Sequence, residues 1–166
     1  MALVTRFEDL KVWQEARELS KQVYELSRSP RFSADRALVE QIRRAAVSVM
    51  NNVAEGFDSG SQRELRKFLH YAIRSTSEVQ SCLYAAVDQA HVGDEEFREV
   101  YALAARIKQL SGAFIRRLAV HDRSPRRSKD VIKEPSVTYV VRTTSYCGIT
   151  PQHRSTAAPQ HEAKQS

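Results

Sequence analysis

Apolar residues recur at steps of three and four along most of the first 120 residues. This is the period of a helix with one buried face. The first stripe begins at Leu10, Trp13 and Ala16. The pattern predicts four helices, over about residues 8–27, 35–55, 61–91 and 94–119.

The ends of these helices are marked by residues that stop or cap a helix. Pro30 cannot continue the first helix. Gly56 and Gly93 follow the last apolar turns of the second and third helices, where a helix-ending glycine is expected. Ser61, with Glu64 three residues on, predicts a capping box for the third. Because short loops make neighbouring helices antiparallel, the sequence predicts an all-α, up-down-up-down four-helix bundle.

The last 46 residues have a different composition. They hold four of the five prolines and many serines and threonines. This composition predicts a mostly disordered extension over residues 121–166 beside a bundle domain over 1–120. One segment, 136–146, is rich in β-branched and aromatic residues and could instead form a short strand.

The net charge of +6 admits an acidic partner such as nucleic acid. The charge is unevenly placed. Residues 1–120 carry 18 basic and 16 acidic side chains, a net of +2, and residues 121–166 carry 8 and 4, a net of +4. Most of the excess therefore belongs to the tail, which weakens the case for a strongly basic folded domain.

No pattern in the sequence predicts catalysis. The five histidines and two cysteines show no metal spacing, and the five glycines form no phosphate-binding loop. We therefore expect no catalytic residue, metal or cofactor. The N-terminus lacks the features of a signal peptide, and no apolar run could span a bilayer. These features predict a cytoplasmic protein that has no membrane partner.

The second predicted helix has two distinct faces. Its core face holds Leu38, Ile42, Ala45, Ala46, Val49 and Val53. Its opposite face, here the outer face, holds Glu40, Arg44, Val47, Ser48, Asn51 and Glu55. That face could be solvated, with Glu40–Arg44 and Asn51–Glu55 paired at the i,i+4 spacing. It could instead pack against another subunit, with its polar groups fixing the register.

The third predicted helix carries a row of basic residues, here the basic stripe: Arg63, Lys67, His70 and Arg74. Cations in a row can follow a phosphate backbone, and the flanking Tyr71 could stack on an unpaired base. Alternatively, the stripe is an ordinary solvated helix face, and Glu64 and Glu78 offset its positive charge. Three further candidates could add to the stripe or could be ordinary loop residues: Arg28, Arg31 and Arg36.

Three segments resemble the four-helix-bundle family of 23S rRNA intervening-sequence proteins: "FEDLKVWQEARELS", "LVEQIRRAAVSVMNNVAEGF" and "ELRKFLHYAIRSTSEVQSCL". The family pattern has an aromatic-x-Asp-Leu-x-Val-Trp start. Its second part reads Arg-Arg-Ala-x-x-Ser-x-x-x-Asn-(Ile/Val)-Ala-Glu-Gly. The resemblance covers about residues 7–118. The family usually has proline where Met50 stands, so we expect a less kinked helix here.

The resemblance implies an antiparallel bundle that assembles into a homo-oligomer, with a pentamer favoured. Some family members are encoded inside insertions in large-subunit rRNA genes. The family is also similar to accessory proteins of diversity-generating retroelements, which are pentameric bundles that bind nucleic acid and a reverse transcriptase. We take as candidate interface residues Asp9, Trp13, Arg43, Arg44, Ser48, Asn51, Asn52 and Glu55.

These observations predict a non-enzymatic, homo-oligomeric bundle that binds nucleic acid or a nucleoprotein partner. The alternative is a protein-only scaffold, such as an accessory subunit of a reverse transcriptase. A third and weaker hypothesis is a small hydrolase or nuclease that uses Glu55.

Overall fold

A computed structural model describes residues 4–122. That part of the chain holds a 3-10 turn, Phe7–Asp9, and five helices: α1 Lys11–Leu26, α2 Pro30–Ala34, α3 Arg36–Asp58, α4 Gln62–Asp88 and α5 Asp94–Asp122. No strand occurs within residues 4–122. The predicted disordered extension and the possible strand over 136–146 lie outside the described residues.

The four long helices form a closed bundle. Helix α3 packs between α1 and α4, and α5 packs between α4 and α1. Contacts between the end of one helix and the start of the next show that the helices alternate in direction: Ser27 with Arg43, Gly56 with Leu65, and Tyr84 with Phe97. The predicted antiparallel four-helix bundle is confirmed, and α3 is uninterrupted at Met50.

Residues 27–35, predicted to be only a break, contain the short helix α2. The Ser29 hydroxyl accepts a hydrogen bond from the Phe32 N–H at 3.4 Å. Pro30 takes the first helical position, where a backbone N–H would have no partner within the helix, so proline loses no hydrogen bond there. Phe32 is fully buried, and its ring stacks on His91 with centroids 5.5 Å apart. Helix α2 therefore closes one end of the bundle.

Two predicted helix ends were wrong. Gly56 lies inside α3 and is buried against α4, so it serves close packing rather than termination. Helix α4 ends before Gly93, because Ala90 adopts a left-handed φ of 57°. The His91 N–H then donates to the Ala86 carbonyl, and the Ala90 N–H to the Val87 carbonyl, each at 2.8 Å. These two bonds form a Schellman ending, in which glycine is the usual left-handed residue.

Replacing Ala90 by glycine should stabilise the fold by about 1 kcal/mol, because glycine adopts the left-handed conformation without steric cost. Urea denaturation would measure the change. The same substitution at Ala102, exposed within α5, is the matched control. It should destabilise the protein by about 1 kcal/mol, because glycine is a poor helix former. A loss of stability in both variants would contradict the strain assigned to Ala90.

A buried carboxylate, that of Glu15, links α1 to α5 through two exposed cations, and the sequence pattern did not predict this cluster. The Glu15 carboxylate lies 3.1 Å from Lys11 Nζ and 2.9 Å from Arg106 Nη2. Glu15 is only 7% exposed. Arg106 is distant in sequence, so only the folded arrangement brings these charges together.

Candidate nucleic-acid interface

The basic stripe lies along the solvent side of α4. Arg63, Lys67, His70 and Arg74 are all exposed. Leu65 and Leu69 on the opposite side of the helix are fully buried. From residue 63 to 74 the stripe is about 17 Å long at 1.5 Å per residue. That length matches about five nucleotides at 3.4 Å of axial rise per nucleotide.

Most of the stripe is not neutralised by acidic neighbours. Lys67 Nζ lies 3.2 Å from Glu64 Oε2. Arg63, His70 and Arg74 make no side-chain hydrogen bond or ion pair within the described residues. Glu78 makes no ion pair with the stripe within residues 4–122 and accepts a hydrogen bond from Gln41 on α3. The stripe therefore presents free cationic groups to solvent.

Tyr71 stands beside the stripe on the α3 side of α4. Its ring meets Phe68 edge to face, with centroids 5.8 Å apart, and it is 37% exposed. Phe68 is half-buried, so it anchors one edge of the Tyr71 ring. The remaining exposed ring could stack on an unpaired base.

Arg28, Arg31 and Arg36 do not join the stripe. Arg31 lies in α2, Arg28 and Arg36 lie on either side of it, and α2 contacts His91, beyond the end of α4. Arg63, the first residue of the stripe, lies at the other end of α4, at the start of this 27-residue helix. Helix α4 is about 40 Å long. All three arginines are exposed, but they form part of a surface at the opposite end of the bundle.

Arg43 was a candidate for a subunit interface, and the structure gives it partners inside the chain. Its Nε donates to Ser27 Oγ at 2.7 Å, and its Nη2 donates to the Ser27 carbonyl at 3.2 Å. Its guanidinium carbon lies 4.8 Å from the centroid of the Tyr24 ring. Arg43 therefore connects α3 to the end of α1.

Ser48 and Asn52 also have partners within the chain. The hydroxyls of Ser48 and Ser75 lie 3.0 Å apart and join α3 to α4. Asn52 Nδ2 donates to the Ser48 carbonyl at 2.7 Å. These side chains are half-buried at the α3–α4 contact. Ser48 and Asn52 therefore stabilise the bundle itself, which the sequence did not predict.

The other interface candidates remain at the surface. Arg44 pairs with Glu40, as the i,i+4 spacing predicted. Asn51 and Glu55 are exposed, and within the described chain neither makes a side-chain hydrogen bond, so their predicted pairing does not form. Asp9 is exposed in the 3-10 turn.

Trp13 is half-buried and packs against the hydrophobic core. Its ring meets Phe7 with centroids 5.1 Å apart. Arg17 lies 5.9 Å from the Trp13 ring centroid. Trp13 is therefore a core anchor that keeps part of its surface in solvent.

An open groove with a volume of about 590 Å³ lies between the end of α1, α2 and the first half of α3. We call it the Tyr24 groove. Its lining includes Tyr24, Ser27, Arg36, Arg43 and Val47, and also the Glu40–Arg44 ion pair. The sequence did not predict this groove, because its residues come from three separate elements.

The described residues contain no group of three or more metal-ligating side chains. No helix among residues 4–122 is both long and apolar enough to cross a membrane. Burial raises the pKa of the Cys82 thiol, and the nearby Glu78 adds to the rise.

The fold and the sequence place the chain among known proteins. It belongs to the 23S rRNA-intervening sequence protein family, whose pattern matches residues 8–113. A crystal structure of a protein of unknown function from the S23 ribosomal protein family of Bacteroides thetaiotaomicron has a similar fold, with a TM-score of 0.57 and 17% identity. The match covers 63% of this chain and 97% of that chain. A comparison with curated proteins gives no match. The predicted family is confirmed.

Proposed function

We propose that this protein is a non-enzymatic, homo-oligomeric bundle that binds nucleic acid through the basic stripe of α4. The free guanidinium groups of Arg63 and Arg74, with the exposed His70 between them on one helix face, are the observation that carries the proposal. Cations held in a line on a rigid helix can contact successive phosphates and release the counterions bound there. Such contacts supply salt-sensitive affinity without sequence choice.

Two triple variants of the full chain test this proposal. Arg63, Lys67 and Arg74 are changed to glutamate in the first, and the exposed Arg28, Arg31 and Arg98, which lie outside the stripe, in the second. Both variants change the net charge equally, so only position differs. The first should lose binding of single-stranded RNA at physiological salt. The binding that remains at low salt can be measured by fluorescence anisotropy. The slope of log affinity against log salt concentration should be smaller by about 2, because each of the three lost phosphate contacts contributes about 0.7.

The second variant should retain most of the affinity. Equal losses in the two variants would show that overall charge, rather than the stripe, determines binding. Unchanged affinity in the first variant would contradict the stripe directly. A wild-type protein that carries no nucleic acid on purification and binds none would favour the protein-only scaffold.

We also propose that subunits meet at the bundle end where α1 begins and α3 ends. Asp9, Trp13, Asn51 and Glu55 all lie there, because α1 and α3 are antiparallel. Asn51 and Glu55 are exposed without side-chain partners in the described chain, and Trp13 keeps part of its ring in solvent. Polar groups beside an aromatic anchor are typical of a specific interface.

Light scattering after size exclusion should give a mass near five times the 18.9 kDa of one chain. Asn51→Arg should reduce that mass, because a long cation would not fit a packed interface. Gln109→Arg, a matched change at an exposed position of α5, should leave it unchanged. A monomeric wild-type protein would contradict the oligomer, and the outer face, which lies on α3, would then be a solvated face.

A further inference from the structure

We propose that the Tyr24 groove binds one unpaired nucleotide of a nucleic-acid strand, with the base on the Tyr24 ring and the phosphate against Arg43 and Arg36. This inference rests on the proposed function and adds a second, structurally separate contact to it. The groove belongs to α1, α2 and α3, whereas the basic stripe belongs to α4.

Arg43 is prepared to bind an anion. Its Nε and Nη2 donate to the hydroxyl and carbonyl of Ser27. A guanidinium has five N–H donors, so donors remain for an anion in the groove. Because the side chain is already held in place by Ser27 and Tyr24, little conformational entropy would be lost when an anion binds. Guanidinium groups match the geometry of phosphate oxygens well.

Tyr24 offers a surface on which a base can stack. Tyr24 and Tyr71 are the two exposed large hydrophobic residues in the described part of the chain. Tyr24 remains 37% exposed although Arg43 lies against its ring. An aromatic ring fixed in this way can accept any unpaired base on its free surface. A base within a duplex is stacked on its neighbours and cannot reach the ring.

The rest of the groove suits a nucleotide. Arg36 is exposed and makes no side-chain hydrogen bond or ion pair within residues 4–122. Val39 and Val47 are half-buried and give the groove apolar walls for a ribose or base. The volume of about 590 Å³ falls within the range of ligand sites. The pairing of Glu40 with Arg44 reduces the repulsion between Glu40 and a phosphate.

The test measures binding of a labelled single-stranded oligouridylate to the full-length protein and its variants. Tyr24→Ala should weaken binding roughly 5- to 150-fold, the usual effect of removing one stacking platform. Tyr24→Phe should bind like the wild type, because it keeps the ring. Arg36→Gln should weaken binding several-fold without affecting the fold, since Arg36 has no partner to lose. Binding of a blunt RNA duplex should be the same for Tyr24→Ala and the wild type.

Several results would overturn the inference. Tyr24→Ala and Arg36→Gln could bind as tightly as the wild type while charge reversal of the basic stripe abolishes binding. The proposal that the groove binds a nucleotide would then fail, and the proposed function would stand. Tyr24→Phe could be as weak as Tyr24→Ala, which would rule out stacking. Inorganic phosphate could displace the oligouridylate as well as uridine monophosphate does, which would leave an anion site only. If the wild type binds no oligonucleotide, both proposals fail.

Discussion

Phe32→Ala should reduce the free energy of unfolding by about 3–5 kcal/mol, the usual cost of removing a fully buried phenylalanine. Phe32 is 0% exposed and is among the largest fully buried side chains of the protein. Its ring stacks on His91, which follows α4, so one side chain connects α2 to the far end of α4. Small domains are stable by about 5–15 kcal/mol, so this single change would remove a large part of the total.

Urea denaturation followed by circular dichroism measures this loss. Tyr71→Ala is the control, because it removes an aromatic ring that is 37% exposed. It should cost about 1 kcal/mol or less, as surface substitutions usually do. If Phe32→Ala cost no more than Tyr71→Ala, α2 would not contribute to the bundle core.

Phe32 also shows where the sequence was insufficient for predicting the fold. The long helices repeat apolar residues over many turns, so their number, order and core faces could be predicted. Helix α2 is only five residues long. No periodicity can be recognised over so short a segment, and Pro30 is as common in a loop as at the start of a helix. Only the position of Phe32 in the folded chain shows that the segment is part of the core.

The candidate sites also differ in how far the sequence alone could predict them. The basic stripe lies on one helix, so the spacing of its residues was enough to place them on one face. The Tyr24 groove combines α1, α2 and α3, and the bonds of Arg43 to Ser27 depend on how α1 and α3 pack. The sequence could show that Arg43 is on α3, but it could not show which helix the side chain meets. The sequence therefore could not show that Arg43 and Ser48 join helices within one chain, and their place in a subunit interface stays a prediction.

Gly56 and Gly112 should respond to alanine with opposite signs. A Cβ atom at Gly56 would lie 2.7 Å from the Cβ of Phe68 and 3.3 Å from the Cα of Leu65. Neither atom can move without shifting α4, so α3 and α4 would have to separate. Overpacking of this kind costs about 1–3 kcal/mol, and the better helix propensity of alanine offsets at most about 1 kcal/mol. Gly56→Ala should therefore destabilise the protein.

Gly112 is the matched position, because it too lies inside a long helix, α5. A Cβ atom there would lie 3.5 Å from Nη1 of Arg116, which is ordinary van der Waals contact with a flexible side chain. Gly112→Ala should stabilise the protein by about 0.5–1 kcal/mol through helix propensity alone. Thermal and urea denaturation of the two variants measure the difference. Stabilisation by both alanines would mean that α3 and α4 do not approach each other closely at Gly56. The opposite signs would show that glycine at position 56 is required by helix packing, not by the end of a helix.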